Sequence, residues 1–110
     1  MAPHQGRDRR YIEAMSRRER VLGEHRKAIR AAAAANKADS IALVGSVARG
    51  DDTDDSDYDF LVTFNKDASL FDQAGLRLDL KELLGCHVDV ISVGGLKEKH
   101  SGILDDAISL

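Results

Sequence analysis

The chain has 110 residues, of which 43% are hydrophobic and 32% charged, and its formal net charge is −3. This length suits one domain with a sheet and several helices, and it is too short for a separate substrate-holding domain. The sequence has one cysteine and no apolar run near the ~20 residues that cross a bilayer, which excludes a disulfide scaffold and a helical membrane protein. It shows no signal-peptide stretch at its start, so we expect a cytoplasmic protein.

The first segment of the chain is basic and the remainder is acidic. Through Ala38 the formal charge is +6, and after it the formal charge is −9. The stretch from Arg7 to Lys37 is rich in helix formers, and apolar residues recur in it at roughly helical spacing; they are Tyr11, Met15, Leu22 and Ile29. We expect an amphipathic helix that packs on the sheet or against a protein partner. A basic front could also contact nucleic acid, which we take as the less favoured interpretation.

A short apolar run, residues 41–44, predicts a buried strand, and Gly45 follows it where the chain leaves the sheet. A residue without a side chain lets a triphosphate approach the main-chain N–H groups. The Ser46 hydroxyl adds a donor and suits the N-cap of a helix that starts at Val47. Taken alone, such a turn is common and usually structural. The acidic stretch from Asp51 to Asp55 predicts a solvated loop.

Two aspartates lie inside the next predicted strand, Asp57 to Phe64. The two-residue period of a strand puts Asp57 and Asp59 on one face, while the alternate aromatic and branched side chains point into the core. Because two carboxylates in such a run repel each other and are unfavourable for a strand, a bound cation explains them better than a structural role. Magnesium takes oxygen ligands of this kind together with substrate phosphates.

Other metal sites fit the sequence less well. An EF-hand loop needs glycine at its sixth position and glutamate at its twelfth, and neither possible register of the acidic stretch supplies them. The histidines show no ligand spacing, so nothing indicates zinc; they are His4, His25, His87 and His100.

The second half of the chain predicts a helix followed by a strand. Leucines recur on one face from Leu70 to Leu84, and Gly85 stands where the helix should stop. In the strand that follows, from Cys86 to Ile91, Asp89 alternates with valines. On spacing alone, Asp89 could equally cap a turn or pair with a lysine. Residues 94–95 are both glycine and should break the strand, and residues 96–110 predict one or two short helices.

The order Gly45-Ser46, then residues 48–50 (Ala-Arg-Gly), then Ser56-Asp57-x-Asp59 resembles the signature of the minimal branch of the DNA polymerase beta-like nucleotidyltransferase superfamily. The resemblance covers roughly residues 38–93. It implies an α/β (α+β) fold, a small mixed β-sheet flanked by helices. The catalytic core would then be residues 38–93, between helical segments 1–37 and 94–110.

The resemblance also implies roles for individual residues. In this family a third carboxylate comes from a later strand, and Asp89 supplies it. Asp57, Asp59 and Asp89 would be the catalytic and metal-binding residues and would hold two magnesium ions. Gly45 and Ser46 would bind the phosphates of ATP. Arg49 could contact the phosphates or the base of the nucleotide, or it could be a surface residue.

Minimal nucleotidyltransferases of this kind are commonly encoded beside a HEPN ribonuclease, as the antitoxin of a toxin–antitoxin pair. The resemblance therefore implies magnesium-dependent transfer of AMP from ATP to a hydroxyl, most simply of a tyrosine, on a HEPN-type toxin. Two alternatives stay open: an antitoxin that neutralises its partner by binding alone, and nucleotidyl transfer to RNA or a small molecule such as an aminoglycoside. The three carboxylates favour an enzyme, because a pure binding module has no need of them.

Overall fold

The computed structural model describes residues 16–93 and 105–110. Four helices and four strands lie wholly in these ranges: α1 (Arg17–Leu22), α2 (Arg26–Ala35), β1 (Ala38–Val44), α3 (Gly45–Arg49), β2 (Tyr58–Phe64), α4 (Leu70–Leu84), β3 (Val88–Ser92) and β4 (Ile108–Ser109). Residues 105–106 are helical as well. These elements confirm the predicted fold class, a mixed sheet with helices packed on it. Within the described ranges, no helix has the length and apolar character needed to cross a membrane.

The sheet has the strand order β3-β2-β1-β4. β1 runs antiparallel to both β2 and β4, whereas β2 and β3 are parallel. Parallel neighbours need a crossover connection, and α4 provides it. The register places Asp59 opposite Val44 of β1 on one side and opposite Asp89 of β3 on the other. The start of β2 therefore meets the end of β1 and the start of β3.

The core lies between the sheet and the two longer helices, and every fully buried side chain in the described ranges is apolar. Ile29 of α2 and Leu76 and Leu80 of α4 are completely buried, as is Phe60 at the centre of β2. These residues are the inward faces that the sequence pattern predicts. No charged side chain is buried among the described residues, so the carboxylates in those ranges all remain accessible at the surface.

α4 has the bounds that its sequence predicts, because both of its ends carry strong local signals. Ser69 accepts a hydrogen bond from the backbone of the first turn, and the side chain of Asp72 accepts one from the Ser69 N–H, which forms a capping box. At the other end Gly85 adopts a left-handed conformation, φ 71°, and its N–H bonds to the carbonyl of Lys81 at 2.8 Å.

The expectation of one amphipathic helix from Arg7 to Lys37 is wrong in the part that the structure describes. Two helices are present, and the chain leaves α1 at Gly23 before α2 begins. Ser16 and Glu19 form a capping box that starts α1 locally. Val21, not Leu22, is the fully buried residue of this helix. Of the predicted apolar residues, those at positions 11 and 15 lie outside the described residues.

The helix prediction for residues 96–110 is also wrong at its end. Residues 105–106 are helical, as predicted. Ile108–Ser109, however, forms strand β4, and the Leu110 N–H donates to the carbonyl of Ile41 at 3.0 Å. β1 has two edges, and β2 covers only one of them, so a short segment with two apolar side chains is favoured at the other. Residues 94–104, with the predicted glycine break, lie outside the described residues.

The strand and turn bounds differ from the prediction by a few residues. β1 begins at Ala38, β2 at Tyr58, and β3 at Val88. α3 begins at Gly45 with Val44 at its N-cap, so Ser46 is inside the first turn of the helix and is not its cap. The chain bends into the helix as soon as β1 ends, because Gly45 adopts a positive φ of 76°.

Candidate functional site

The three predicted carboxylates meet where β2 and β3 begin. Asp59 and Asp89 lie directly opposite each other in the parallel register. Asp57 is one residue before β2, and the neighbouring Tyr58 N–H donates to the carbonyl of His87 at 3.2 Å. Because side chains alternate across a strand, Asp57 and Asp59 share a face with His87 and Asp89. We call Asp57, Asp59 and Asp89 the carboxylate cluster.

The electrostatics of the carboxylate cluster fit a divalent cation. Partial burial raises the pKa of Asp59, and the neighbouring charges of Asp89 and Asp57 raise this pKa further. The raised pKa means that burial and the neighbouring carboxylates disfavour the ionised form of Asp59 more than His87 offsets. Oxygen ligands crowded in this way are the donor set that magnesium prefers. Asp57, Asp59 and Asp89 are therefore candidate ligands for such a cation.

Gly45 makes room for one of these carboxylates. A Cβ atom at this position would lie 2.5 Å from Oδ2 of Asp59, well inside van der Waals contact. Its φ of 76° also disfavours any residue with a side chain. The sequence predicts a different reason for glycine at position 45, which is the close approach of a phosphate to the backbone. The structure adds a second reason for glycine, which is the packing of the turn against Asp59.

Ser46 and Arg49 lie on α3, the helix that begins at Gly45. The carbonyl of Ser46 accepts the N–H groups of Gly50, at 2.9 Å, and Asp51, at 3.1 Å, which closes the helix. Arg49 is exposed; its Nε donates to Asp51 at 3.1 Å and its Nη1 to Asp106 at 3.3 Å. These two carboxylates raise the pKa of Arg49. The described contacts of Arg49 are thus with carboxylates outside the cluster.

His87 lies inside the site, which the sequence interpretation did not predict. Its Nδ1 atom is 3.2 Å from Oδ2 of Asp57 and 4.0 Å from Oδ1 of Asp89. One ligand atom each of Asp57, His87 and Asp89 fit within 4.8 Å of one another. The statement that no histidine has ligand spacing is therefore wrong for His87. The signal was present, since His87-x-Asp89 repeats the two-residue spacing of Asp57-x-Asp59.

Arg17 of α1 holds the acidic loop that precedes the cluster. Its guanidinium donates to the carbonyls of Ser56 and, at 3.2 Å, Asp54. It also stands over the ring of Tyr58, 5.6 Å from the ring centroid, which is a cation–π geometry. Sequence reasoning missed this contact because the two segments are far apart in the chain. Arg17 thereby fixes the backbone on which Asp57 enters β2.

Comparison with known proteins gives results in agreement with this geometry. The family model described as "Nucleotidyltransferase domain" matches residues 24–109. "Putative protein adenylyltransferase MJ0435" of Methanocaldococcus jannaschii is 36% identical over 72 residues, which cover 62% of this chain and 74% of that protein. "Putative protein adenylyltransferase MJ0128" of the same organism is 34% identical over 80 residues, covering 73% of this chain and 79% of that protein.

Solved structures agree with the sequence relatives. A structure of a "putative minimal nucleotidyltransferase" superposes with a TM-score of 0.73 at 40% sequence identity, covering 82% of this chain and 93% of the other. A toxin–antitoxin structure with AMP-PNP has a TM-score of 0.64 at 20% identity, covering 76% of this chain and 69% of the other, and shows a shared fold.

The mixed sheet and the carboxylates at the start of two parallel strands define the class of protein as a nucleotidyltransferase. The chain belongs to the nucleotidyltransferase domain family, whose model spans most of it. The resemblance found in the sequence motif and the predicted enzyme class are both confirmed. The roles of the individual site residues remain predictions.

Proposed function

We propose that this protein is a magnesium-dependent adenylyltransferase that transfers AMP from ATP to a tyrosine hydroxyl of a HEPN-type ribonuclease toxin and acts as the antitoxin of that toxin. The observation that carries the proposal is the carboxylate cluster packed against the turn at Gly45. Two relatives of this chain bear the name of protein adenylyltransferases, which supports a protein acceptor. The tyrosine and the HEPN partner rest on the motif resemblance.

In this proposal, Asp57, Asp59 and Asp89 hold one or two magnesium ions. The metal would neutralise the charge of the triphosphate and of the leaving pyrophosphate. The turn backbone at Gly45 and the Ser46 hydroxyl bind phosphate oxygens. Asp89, the more exposed partner in the aligned pair, orients the acceptor hydroxyl and takes its proton. The hydroxyl oxygen bonds to the α-phosphorus as the bond to pyrophosphate breaks, so the residues act mainly by positioning.

A second function, neutralisation of the partner by binding alone, is supported by a different observation. The outer side of α4 carries apolar side chains that are largely in solvent: Leu70 is 81% exposed, Phe71 89% and Leu78 60%. Exposed apolar residues gathered on one helix suit a protein contact. Such a contact serves an enzyme with a protein acceptor as well as a binding antitoxin, so it does not separate the two functions.

The two functions separate in one experiment. The purified protein is incubated with the product of the neighbouring gene, magnesium and ATP, and both chains are weighed by intact mass spectrometry. We expect a gain of one AMP on the partner, and no gain when a chelator is added or when both Asp57 and Asp59 are alanine. A stable complex without any gain in mass would favour binding alone. In a parallel incubation with RNA or an aminoglycoside in place of the partner, a gain of AMP on that molecule would show a different acceptor.

A further inference from the structure

Arg77 connects α4 to the carboxylate cluster through His87. Its Nε donates to the carbonyl of Val88 at 3.1 Å, and its Nη2 lies 3.2 Å from Nε2 of His87. The two contacts use different nitrogens of one planar guanidinium, so the bond to the Val88 carbonyl fixes the direction of the bond to the imidazole. The guanidinium of Arg77, which lies on α4, is therefore held in a fixed orientation next to His87.

The contact with Arg77 determines which imidazole nitrogen of His87 carries the proton. A guanidinium has only donors, so Nε2 of His87 must be the acceptor, and an accepting ring nitrogen has no hydrogen. The hydrogen is therefore on Nδ1. Nδ1 lies 3.2 Å from Oδ2 of Asp57, so it donates to this carboxylate. Its distance of 4.0 Å from Asp89 is too long for a second hydrogen bond.

We propose that Arg77 and His87 are positioning residues that hold Asp57 from outside the metal's ligand shell. With Nε2 bound to Arg77 and a proton on Nδ1, the imidazole has no lone pair to offer a metal. Its N–H instead orients the Asp57 carboxylate, which leaves the other oxygen of that group for the cation, as hydrogen bonds to ligating carboxylates do elsewhere. This inference rests on the proposed function, because that proposal makes Asp57 a metal ligand.

Manganese provides a direct test, because it replaces magnesium and its electron spin echo spectrum detects a bound nitrogen. The full chain with Mn²⁺ alone should show oxygen ligands and no directly coordinated ¹⁴N. In Arg77→Met the imidazole is free to carry its proton on Nε2, and we expect a ¹⁴N coupling to appear. A coupling in the unmodified protein would overturn the inference while leaving the metal site in place. Failure to bind Mn²⁺ at all would overturn the metal site itself, and this inference with it.

Two substitutions of His87 test its donor role by a Mn²⁺ titration. Asn places an N–H close to the position of Nδ1, whereas Leu has none. We expect His87→Asn to retain the affinity and His87→Leu to lose roughly tenfold, the usual effect of removing a group that orients a ligand. Lys81→Met, which like Arg77→Met removes a positive charge from α4, is the matched control for that variant and should leave the Mn²⁺ affinity unchanged. Unfolding midpoints in chelator show whether each variant is folded. Equal affinity of His87→Leu and the unmodified protein would overturn the proposal.

Discussion

The carboxylate cluster and helix α3 lie against each other but are held in place by different means. The cluster is fixed by the hydrogen-bonded register of β2 and β3, and its side chains only add charge to positions that the backbone has already set. α3 depends instead on a missing side chain, because any Cβ at Gly45 would run into Asp59. A change of charge should therefore be tolerated by the fold in the first region, and an added atom should not be tolerated in the second.

The largest expected effect comes from removing charge from the cluster. In the Asp57→Ala, Asp59→Ala double variant, AMP transfer should fall by more than roughly a hundredfold, since several kcal/mol of charge stabilisation are lost. The metal-free fold should persist, because crowding of like charges is relieved. Transfer assays and circular dichroism in chelator check both parts. An unfolded double variant would show that these carboxylates are structural and would end the contrast between the two regions.

The next effect comes from adding one carbon to the turn. Gly45→Ala should lose about 1–2 kcal/mol of unfolding free energy from its positive φ alone, and should also lose activity because the new Cβ displaces the Asp59 carboxylate. Gly50→Ala is the matched control: its φ is 81°, but a Cβ there meets nothing within 4 Å. Denaturant unfolding and transfer assays should show both variants destabilised and only Gly45→Ala inactive. Equal activity of the two would show that the Asp59 contact is unimportant.

A smaller effect is expected at the end of α3. If Arg49 binds the nucleotide, Arg49→Ala should raise the KM for ATP severalfold with little change in kcat. Asp106→Asn should act in the opposite direction, because it frees the guanidinium from one of its two carboxylate partners. Steady-state kinetics on both variants check the pair. If the two KM values move together, or neither moves, Arg49 is a surface residue held by ion pairs.

The smallest effect is a pH dependence of stability in the metal-free protein. Because folding raises the pKa of Asp59 above its ordinary value of 3.8, the folded chain binds this proton more tightly than the unfolded chain. The resulting stabilisation is fully present below the ordinary pKa of 3.8. It is lost as the pH rises through the folded-state pKa. Asp59→Asn should therefore unfold at a higher temperature than the unmodified protein near neutral pH, and the difference should narrow in acid. Solvent screening keeps this difference in unfolding temperature small. A difference that does not change with pH would contradict the explanation.

The sequence predicts the parts of the fold whose signals are local. α4 has its cap at Ser69, its leucine face and its stop at Gly85 all within one segment, and its bounds are the predicted ones. Asp57 and Asp59 could be identified for a similar reason, since two charges in an aromatic and branched strand conflict with their surroundings. Asp89 needed the family resemblance as well, and the parallel register then places it opposite Asp59.

The parts that could not be predicted depend on contacts between distant segments. β4 forms because β1 has an uncovered edge, which no pattern in residues 108–110 reveals. The break at Gly23 separates two stretches that both favour helix, so helix propensity alone carries through it. His87-x-Asp89 has the same two-residue spacing as Asp57-x-Asp59. Whether His87 lies in the site, however, depends on which strand pairs with β2.

The contacts of Arg17 with the acidic loop affect how fast a nucleotide can reach the site. Arg17 donates to backbone carbonyls of the loop, which has four carboxylates: Asp51, Asp52, Asp54 and Asp55. Asp51 pairs with Arg49 and Asp52 with Arg17, so repulsion of an anion comes mainly from the other two and from the carboxylate cluster. An approaching free triphosphate meets repulsion of its own sign, which added salt screens within about 10 Å at 0.1 M. Moderate ionic strength should therefore speed the encounter, the reverse of association steered by opposite charges. A nucleotide that carries its own divalent ion would meet the smaller barrier.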